Sequence, residues 1–135
     1  HGGALDREKE LLGEGLESVQ GILGFMVGEL MKSDPSAEGG DVTNLYKVGQ
    51  NTTRFLLAAG DLVVGWLLLR QAEVALAALA RIDSGEASEA DRDFYTGKVA
   101  AARFYARQVL PRLAAERASA EGTDNDLMDV PESAF

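Results

Sequence analysis

The sequence predicts an all-α protein, an antiparallel up-down bundle of three long helices with an extended C-terminal tail. Three observations carry this expectation. Apolar residues make up 46% of the 135 positions, with Leu and Ala foremost, and both favour helix. Three long segments repeat apolar residues at three-four spacing. Two turn clusters, Asp34-Pro35 with Gly39-Gly40 and Asp83-Ser84-Gly85, separate those segments. A chain of this length fits one domain with one core.

The first helix is expected over residues 4–31. Leu5, Leu12, Leu16, Val19, Leu23, Met26 and Leu30 mark its core seam. Gly21, Gly24 and Gly28 form a neighbouring stripe, and each glycine costs a helix interior about 1 kcal/mol. A close neighbour is therefore expected there. Lys32, Ser33, Asp34 and Pro35 stop the helix.

The second helix starts at Asp41 or Thr43, either of which can cap it, and runs to about residue 82. Leu45, Val48, Thr52, Phe55, Ala59, Leu62, Trp66, Leu69, Leu76 and Ala80 form one seam; Leu56, Val63, Leu67 and Val74 form a second. A break near Gly60 or Gly65 would raise the helix count to four. Between Asp61 and Arg70 the segment is apolar all round. A membrane span needs about 18 apolar residues or more, so no span is expected.

Gly85 suits a left-handed cap, and Ser88 with Asp91 opens the third helix, to about residue 119. Its expected buried residues are Phe94, Ala101 and Phe104, with Val99, Ala102, Val109 and Leu113 alongside. Pro111 removes one backbone hydrogen bond and should kink it. Residues 121–135 are expected to be an acidic linker and a docking tail: polar and acidic through Asp126, then apolar again at Leu127, Met128, Val130 and Phe135. Residues 1–3, His1-Gly2-Gly3, are expected to be a tag scar or a cut end, leaving residues 4–120 as the bundle.

The chemistry is sparse. Acids outnumber bases 22 to 13, a net charge of −9, which disfavours nucleic acid and anionic membranes. The sequence has no cysteine, and its single histidine is His1. That excludes Cys-His and Ser-His-Asp catalysis and the usual zinc and di-iron ligand sets. No catalytic and no metal residue is expected. The absence of cysteine is consistent with a cytoplasmic location.

Some residues nonetheless merit a functional reading. Gly13, Gly15 and Ser18 faintly echo a dinucleotide loop, but no strand precedes them. Asn51, Thr52 and Thr53 match a glycosylation acceptor within a helical pattern. Asp61 on the apolar helix would suit a raised-pKa general base; the simpler reading is an ion pair with Arg103 or Arg107. Arg92, Arg103 and Arg107 share a helix face, with Arg112 and Arg117 beyond. Arg103 and Arg107 are the candidates for the phosphates of coenzyme A. The simpler reading pairs this face with acids such as Glu10, Glu14 and Glu17. Tyr46, Trp66 and Tyr105 read as core or interface aromatics.

Two stretches carry a family resemblance: residues 46–80, YKVGQNTTRFLLAAGDLVVGWLLLRQAEVALAALA, and residues 93–116, DFYTGKVAAARFYARQVLPRLAAE. In the second, Phe94, Tyr95, Lys98, Ala102, Arg103, Phe104, Ala106, Leu110 and Pro111 stand in the spacing that resembles the C-terminal domain of large bacterial acyl-CoA dehydrogenases. That type includes methylthiopropanoyl-CoA dehydrogenase and mycobacterial enzymes of fatty-acid oxidation. Val130, Pro131, Glu132 and Phe135 resemble the end of such proteins.

The resemblance implies a parent that oxidises an acyl-CoA to the 2-enoyl-CoA with FAD as hydride acceptor. The proton-abstracting glutamate and main flavin pocket would lie in preceding domains, so no catalytic residue transfers to this chain. It further implies a homodimer mate and the remaining dehydrogenase domains as partners, with a structural or oligomerisation role here and no cofactor of its own. A free-standing helical interaction module is the alternative, and an independent coenzyme A-binding bundle a third.

Overall fold

The computed structural model describes residues 3–86 and 88–135. His1 and Gly2, most of the expected scar, lie outside the described residues. Among those residues the structure is helical with no strand, and three rods run up, down and up. The first rod is α1, Asp6–Lys32. The second is α2, Asn44–Gly49, followed by α3, Thr52–Asp83. The third is a 3₁₀ turn at Glu89–Asp91, then α4, Arg92–Gln108, and α5, Arg112–Glu121.

Ion pairs fix the directions. Lys9 meets Glu73 at 3.0 Å and Lys47 meets Glu29 at 3.4 Å, so α1 and the second rod are antiparallel. Arg54 with Glu116 and Arg92 with Asp83 do the same for the second and third rods.

The second rod breaks at Gln50 and Asn51, not at Gly60 or Gly65. Asn51 leaves the helical region at φ −112° and ψ 0°, and its side chain supplies the missing bonds. Its amide donates to the Lys47 carbonyl at 2.8 Å and to the Thr123 hydroxyl at 2.9 Å, while its oxygen accepts from Arg54. Glycine lowers helix propensity, but only an alternative set of hydrogen bonds ends a helix cleanly.

Pro111 does more than kink the third rod. α4 ends at Gln108 and α5 begins at Arg112 with Pro111 at φ −61°. The proline cannot donate a backbone bond, and it suits a helix start. The break aims Leu110 inward, where it is fully buried with Leu113. Gly85 is left-handed at φ 79°, as its cap position requires. The Glu86 N–H returns to the Arg81 carbonyl at 2.9 Å.

The core has two clusters. One joins Val19, Ile22, Met26, Ala58, Ala106, Leu110 and Leu113; the other joins Leu5, Leu69, Ala72, Ala75, Val99 and Ala102. Leu12 packs against both. The stripe that faces the core differs from the one the large residues mark. On α1 it is Glu8, Leu11, Gly15, Ser18, Val19, Ile22, Met26 and Glu29, so Leu16, Leu23 and Leu30 are about half exposed. On α4 it is Val99, Ala102 and Ala106, while Phe94 is 61% and Phe104 67% exposed. Ala101 is exposed as well.

Of the three stripe glycines on α1, only Gly21 has the expected close neighbour, the Arg117 side chain. Gly24 and Gly28 face open space, whereas a Cβ on Gly15 would meet Leu113 at 3.2 Å. One on Gly65 would meet Leu110 at 2.9 Å. Small residues at α3 and α4 positions let these rods approach, and bulky ones are displaced outward.

Candidate functional site

The charged candidates are held by structure. Arg107 of α4 donates through Nε to the Glu8 carboxylate at 2.8 Å, and through its terminal nitrogen at 2.5 Å. Glu8 is 1% exposed, so this guanidinium compensates a buried charge. Arg103 donates to the Ala4 carbonyl at 2.9 Å. Both therefore fasten α4 to the start of α1. Arg92 pairs with Asp83, and Arg117 with Glu121 while it also donates to the Glu17 carbonyl. Glu10 and Glu14 pair with Arg7 on their own helix rather than with the third rod.

Asp61 is half-buried and pairs with neither Arg103 nor Arg107. Its backbone carbonyl accepts the Tyr105 hydroxyl at 2.9 Å. Burial pushes the Tyr105 phenol up, with the Asp61 charge adding to it. Gly13, Gly15 and Ser18 lie within α1, where the Ser18 hydroxyl donates to the Glu14 carbonyl. Asn51 is 1% exposed and fully engaged, so it offers no glycan attachment point. Among the described residues no three His, Cys, Asp or Glu gather to hold a metal.

A charged contact that the sequence did not single out ties α1 to α2. Glu29 is 5% exposed and lies between Lys32 at 3.0 Å and Lys47 at 3.4 Å. Burial alone would raise its carboxyl, but the two ammonium groups together outweigh it and hold the pKa below the ordinary range. The only sequence signal was a carboxylate on the core stripe of α1, visible once that stripe is known.

The chemically distinctive feature is an uncovered apolar surface. On α3, Leu56, Val63, Leu67 and Val74 lie along one exposed line flanked by Trp66, which is 52% exposed. On α1, Leu16, Leu23, Val27 and Leu30 form a second exposed line. The Lys9–Glu73 pair and the approach of Leu62 to Gly15 set the register. They bring Leu16 level with the residues near Val63 and Leu23 level with Leu56. The two lines thus stand uncovered at matching heights of the antiparallel α1–α3 pair, more exposed apolar side chains than the isolated ones common on monomers.

At one end of the α3 line a groove of about 490 Å³ opens between α3 and α4, lined by Leu67, Arg70, Gln71, Val74, Phe94 and Lys98. The Lys98 ammonium lies 5.2 Å from the centre of the Phe94 ring. At the other end the tail is fixed to the α2–α3 break. Gln50 donates to the Asp124 carbonyl at 3.2 Å and Asn125 to the Thr43 carbonyl at 3.1 Å. Beyond Asp126, Leu127, Met128 and Phe135 are exposed.

The span Asn44–Asp83 is long and apolar enough, by length and composition, to cross a membrane, with a mean hydropathy of 1.7 and 28% of its most apolar stretch buried. Asp61 and Arg70 interrupt the run without lowering it below that threshold. Along this apolar stretch fewer side chains are buried than are half-buried or exposed.

The sequence profile of a family described as acetyl-CoA dehydrogenase C-terminal like matches residues 2–131. The chain is 47% identical, over 98% of its length, to 20% of the broad-specificity linear acyl-CoA dehydrogenase FadE5 of Mycobacterium tuberculosis. It is 40% identical, over 62% of its length, to 13% of a butyryl-CoA dehydrogenase of Syntrophomonas wolfei. A second butyryl-CoA dehydrogenase of that organism is 33% identical over the same shares. The chain spans a fifth or less of the length of these relatives.

Proposed function

The chain belongs to the acetyl-CoA dehydrogenase C-terminal-like family, and from that premise we propose that it is the helical domain by which a flavin-dependent acyl-CoA dehydrogenase holds its other domains and its dimer mate together. In this reading the parent oxidises an acyl-CoA to the 2-enoyl-CoA, in the cytoplasm, with FAD bound by domains outside this chain. The observation that carries the proposal is the pair of uncovered apolar lines on α1 and α3. A domain of this size gains by burying them, at roughly 25 cal/mol per Å².

The flavin is placed in the other domains because the guanidinium groups of Arg103 and Arg107, the anion-binding candidates of this chain, are committed to α1. No catalytic step is assigned to this chain. The same commitments leave the two arginines poorly placed for the phosphates of coenzyme A, since freeing Arg107 would strand the buried Glu8 charge. Lipid is a poorer cover than protein, because a net charge of −9 repels anionic headgroups.

The test is substitution of the face in the full-length enzyme. Leu56→Asp with Val63→Asp should cost the isolated chain no more than about 1 kcal/mol, since both side chains are at least half exposed. In the full-length protein it should cause loss of dimer, flavin content or turnover. A full-length variant that keeps all three would remove the accessory role and favour a free-standing interaction module.

A further inference from the structure

The groove between α3 and α4 carries charge of the opposite sign to the rest of the molecule. Arg70 and Lys98 line it, and Arg70 also meets Glu73, which stands outside the lining, at 3.6 Å. Two cations and no acid line the groove, in a chain with a net charge of −9. The apolar walls are Leu67, Val74 and Phe94, all exposed. A ligand for this groove is therefore apolar and anionic along its length.

The tail has that chemistry. Asp126, Asp129 and Glu132 alternate with Leu127, Met128, Val130 and Phe135, and no basic residue occurs after Arg117. We propose that residues 126–135 of a second copy of this chain occupy the groove, so that two copies exchange tails across a two-fold axis. This rests on the dimer mate of the proposed function and specifies how the two mates engage.

The chain's own tail is excluded by reach. Asn125 is fixed at Thr43, at the far end of the second rod. Leu67 lies 17 residues along that rod from Gln50, about 26 Å at 1.5 Å per residue. A fully extended ten-residue tail spans at most about 35 Å, and here it is shortened by turns. Met128 and Asp129 donate back to Asn125, and Ala134 donates to Pro131. It cannot lay several side chains along its own groove. A two-fold axis near Val63, with the α3 faces crossing antiparallel, brings the second copy's tail anchor beside Val74. Two equivalent tail contacts then form, as a closed dimer requires.

The chain has no cysteine, so introduced cysteines report without background. Gln71→Cys and Ser133→Cys, both at exposed positions, are made as separate proteins, mixed and oxidised. A covalent heterodimer from the mixture and a monomer from each variant alone is the expected result. No cross-link in the mixture overturns the proposal. So does an internally linked monomer from the double variant.

Charge reversal gives the second readout. Arg70→Glu with Lys98→Glu should raise the dimer dissociation constant tenfold or more, with helical circular dichroism unchanged, and Asp129→Lys with Glu132→Lys should restore it. If reversal leaves dimerisation unchanged while Leu56→Asp with Val63→Asp abolishes it, tail exchange is wrong and the apolar face stands. A chain that remains monomeric at millimolar concentration also overturns tail exchange, leaving the other dehydrogenase domains as the cover for that face.

Discussion

Replacing Gly65 by alanine sets two known effects against each other at one atom. The added Cβ improves helix propensity by about 1 kcal/mol. It would also lie 2.9 Å from Leu110 Cδ2 and 3.2 Å from Cδ1, well inside the 3.5–4.0 Å at which carbons attract. Leu110 is 1% exposed and is fixed on its other side by the Pro111 break, so it can yield only by straining its rotamer or moving α5. Overpacking of that kind costs about 1–3 kcal/mol. Gly97 of α4 provides the reference, because it faces open space and its alanine variant receives the propensity gain alone. Gly65→Ala should therefore be less stable than Gly97→Ala by about 1–3 kcal/mol, read as a difference in urea or thermal midpoints followed by circular dichroism. Leu110→Val should recover part of the loss only in the Gly65→Ala background, a coupling of about 1 kcal/mol. Stabilities equal within about 0.5 kcal/mol would refute the wedge of Leu110 on Gly65.

Other outcomes follow from the buried charges. Arg107→Ala strands Glu8 and should cost about 3 kcal/mol, somewhat less where water reaches the half-exposed guanidinium site. Glu8→Leu with Arg107→Leu should be near neutral, and denaturant titration separates the two results. For Glu29 the folded-state pKa lies below the ordinary value of 4.5. The stability it supplies is complete above 4.5 and is lost as pH falls through the lowered value, because the unfolded chain takes up the proton first. Lys47→Met removes one cause of that depression. Its unfolding free energy should fall less steeply with acidification below pH 4.5; an unchanged slope would show that Lys47 does not hold this carboxylate.

The helical class, the three rods and the two long turns were legible because each depends on local signals. The Asp34-Pro35 stop, the Gly85 cap and the Leu110-Pro111 break all act within a few residues of themselves. The facing of the helices was not legible, for a physical reason. Leu16, Leu23 and Leu30 follow three-four spacing as faithfully as Leu11, Ile22 and Met26, and Phe94 with Phe104 outweighs Val99 with Ala102 in hydrophobicity. Periodicity shows that a stripe is buried against something; it does not say against which neighbour. Here the internal stripe is the small one, since Ala58, Gly65, Ala72, Ala102 and Ala106 let rods approach. The Arg107–Glu8 pair was equally hidden. Its partners are 99 residues apart, and only the parallel run of α1 and α4 brings them together. The family resemblance survived this error in facing, because it depended on residue order at Phe94, Lys98, Arg103 and Pro111, not on which way they point.

Trp66 brings the two stripes to one decision. Sequence spacing put it on the core seam, where truncation to alanine would cost about 3 kcal/mol or more. Its ring is instead 52% exposed at the edge of the α3 face, where half of that contact remains. In the isolated chain, Trp66→Ala should therefore cost no more than about 1.5 kcal/mol, half of a core truncation. If the face is covered by protein in the full-length enzyme, the same ring becomes central to a desolvated contact. There its loss should cost at least about 2 kcal/mol of association, as buried tryptophans at interfaces do. The two measurements separate the sources of the apolar spacing. A large cost in both would place Trp66 in the core after all. A small cost in both would leave the α3 face exposed even in the complete protein, and the accessory-domain reading would lose its principal support.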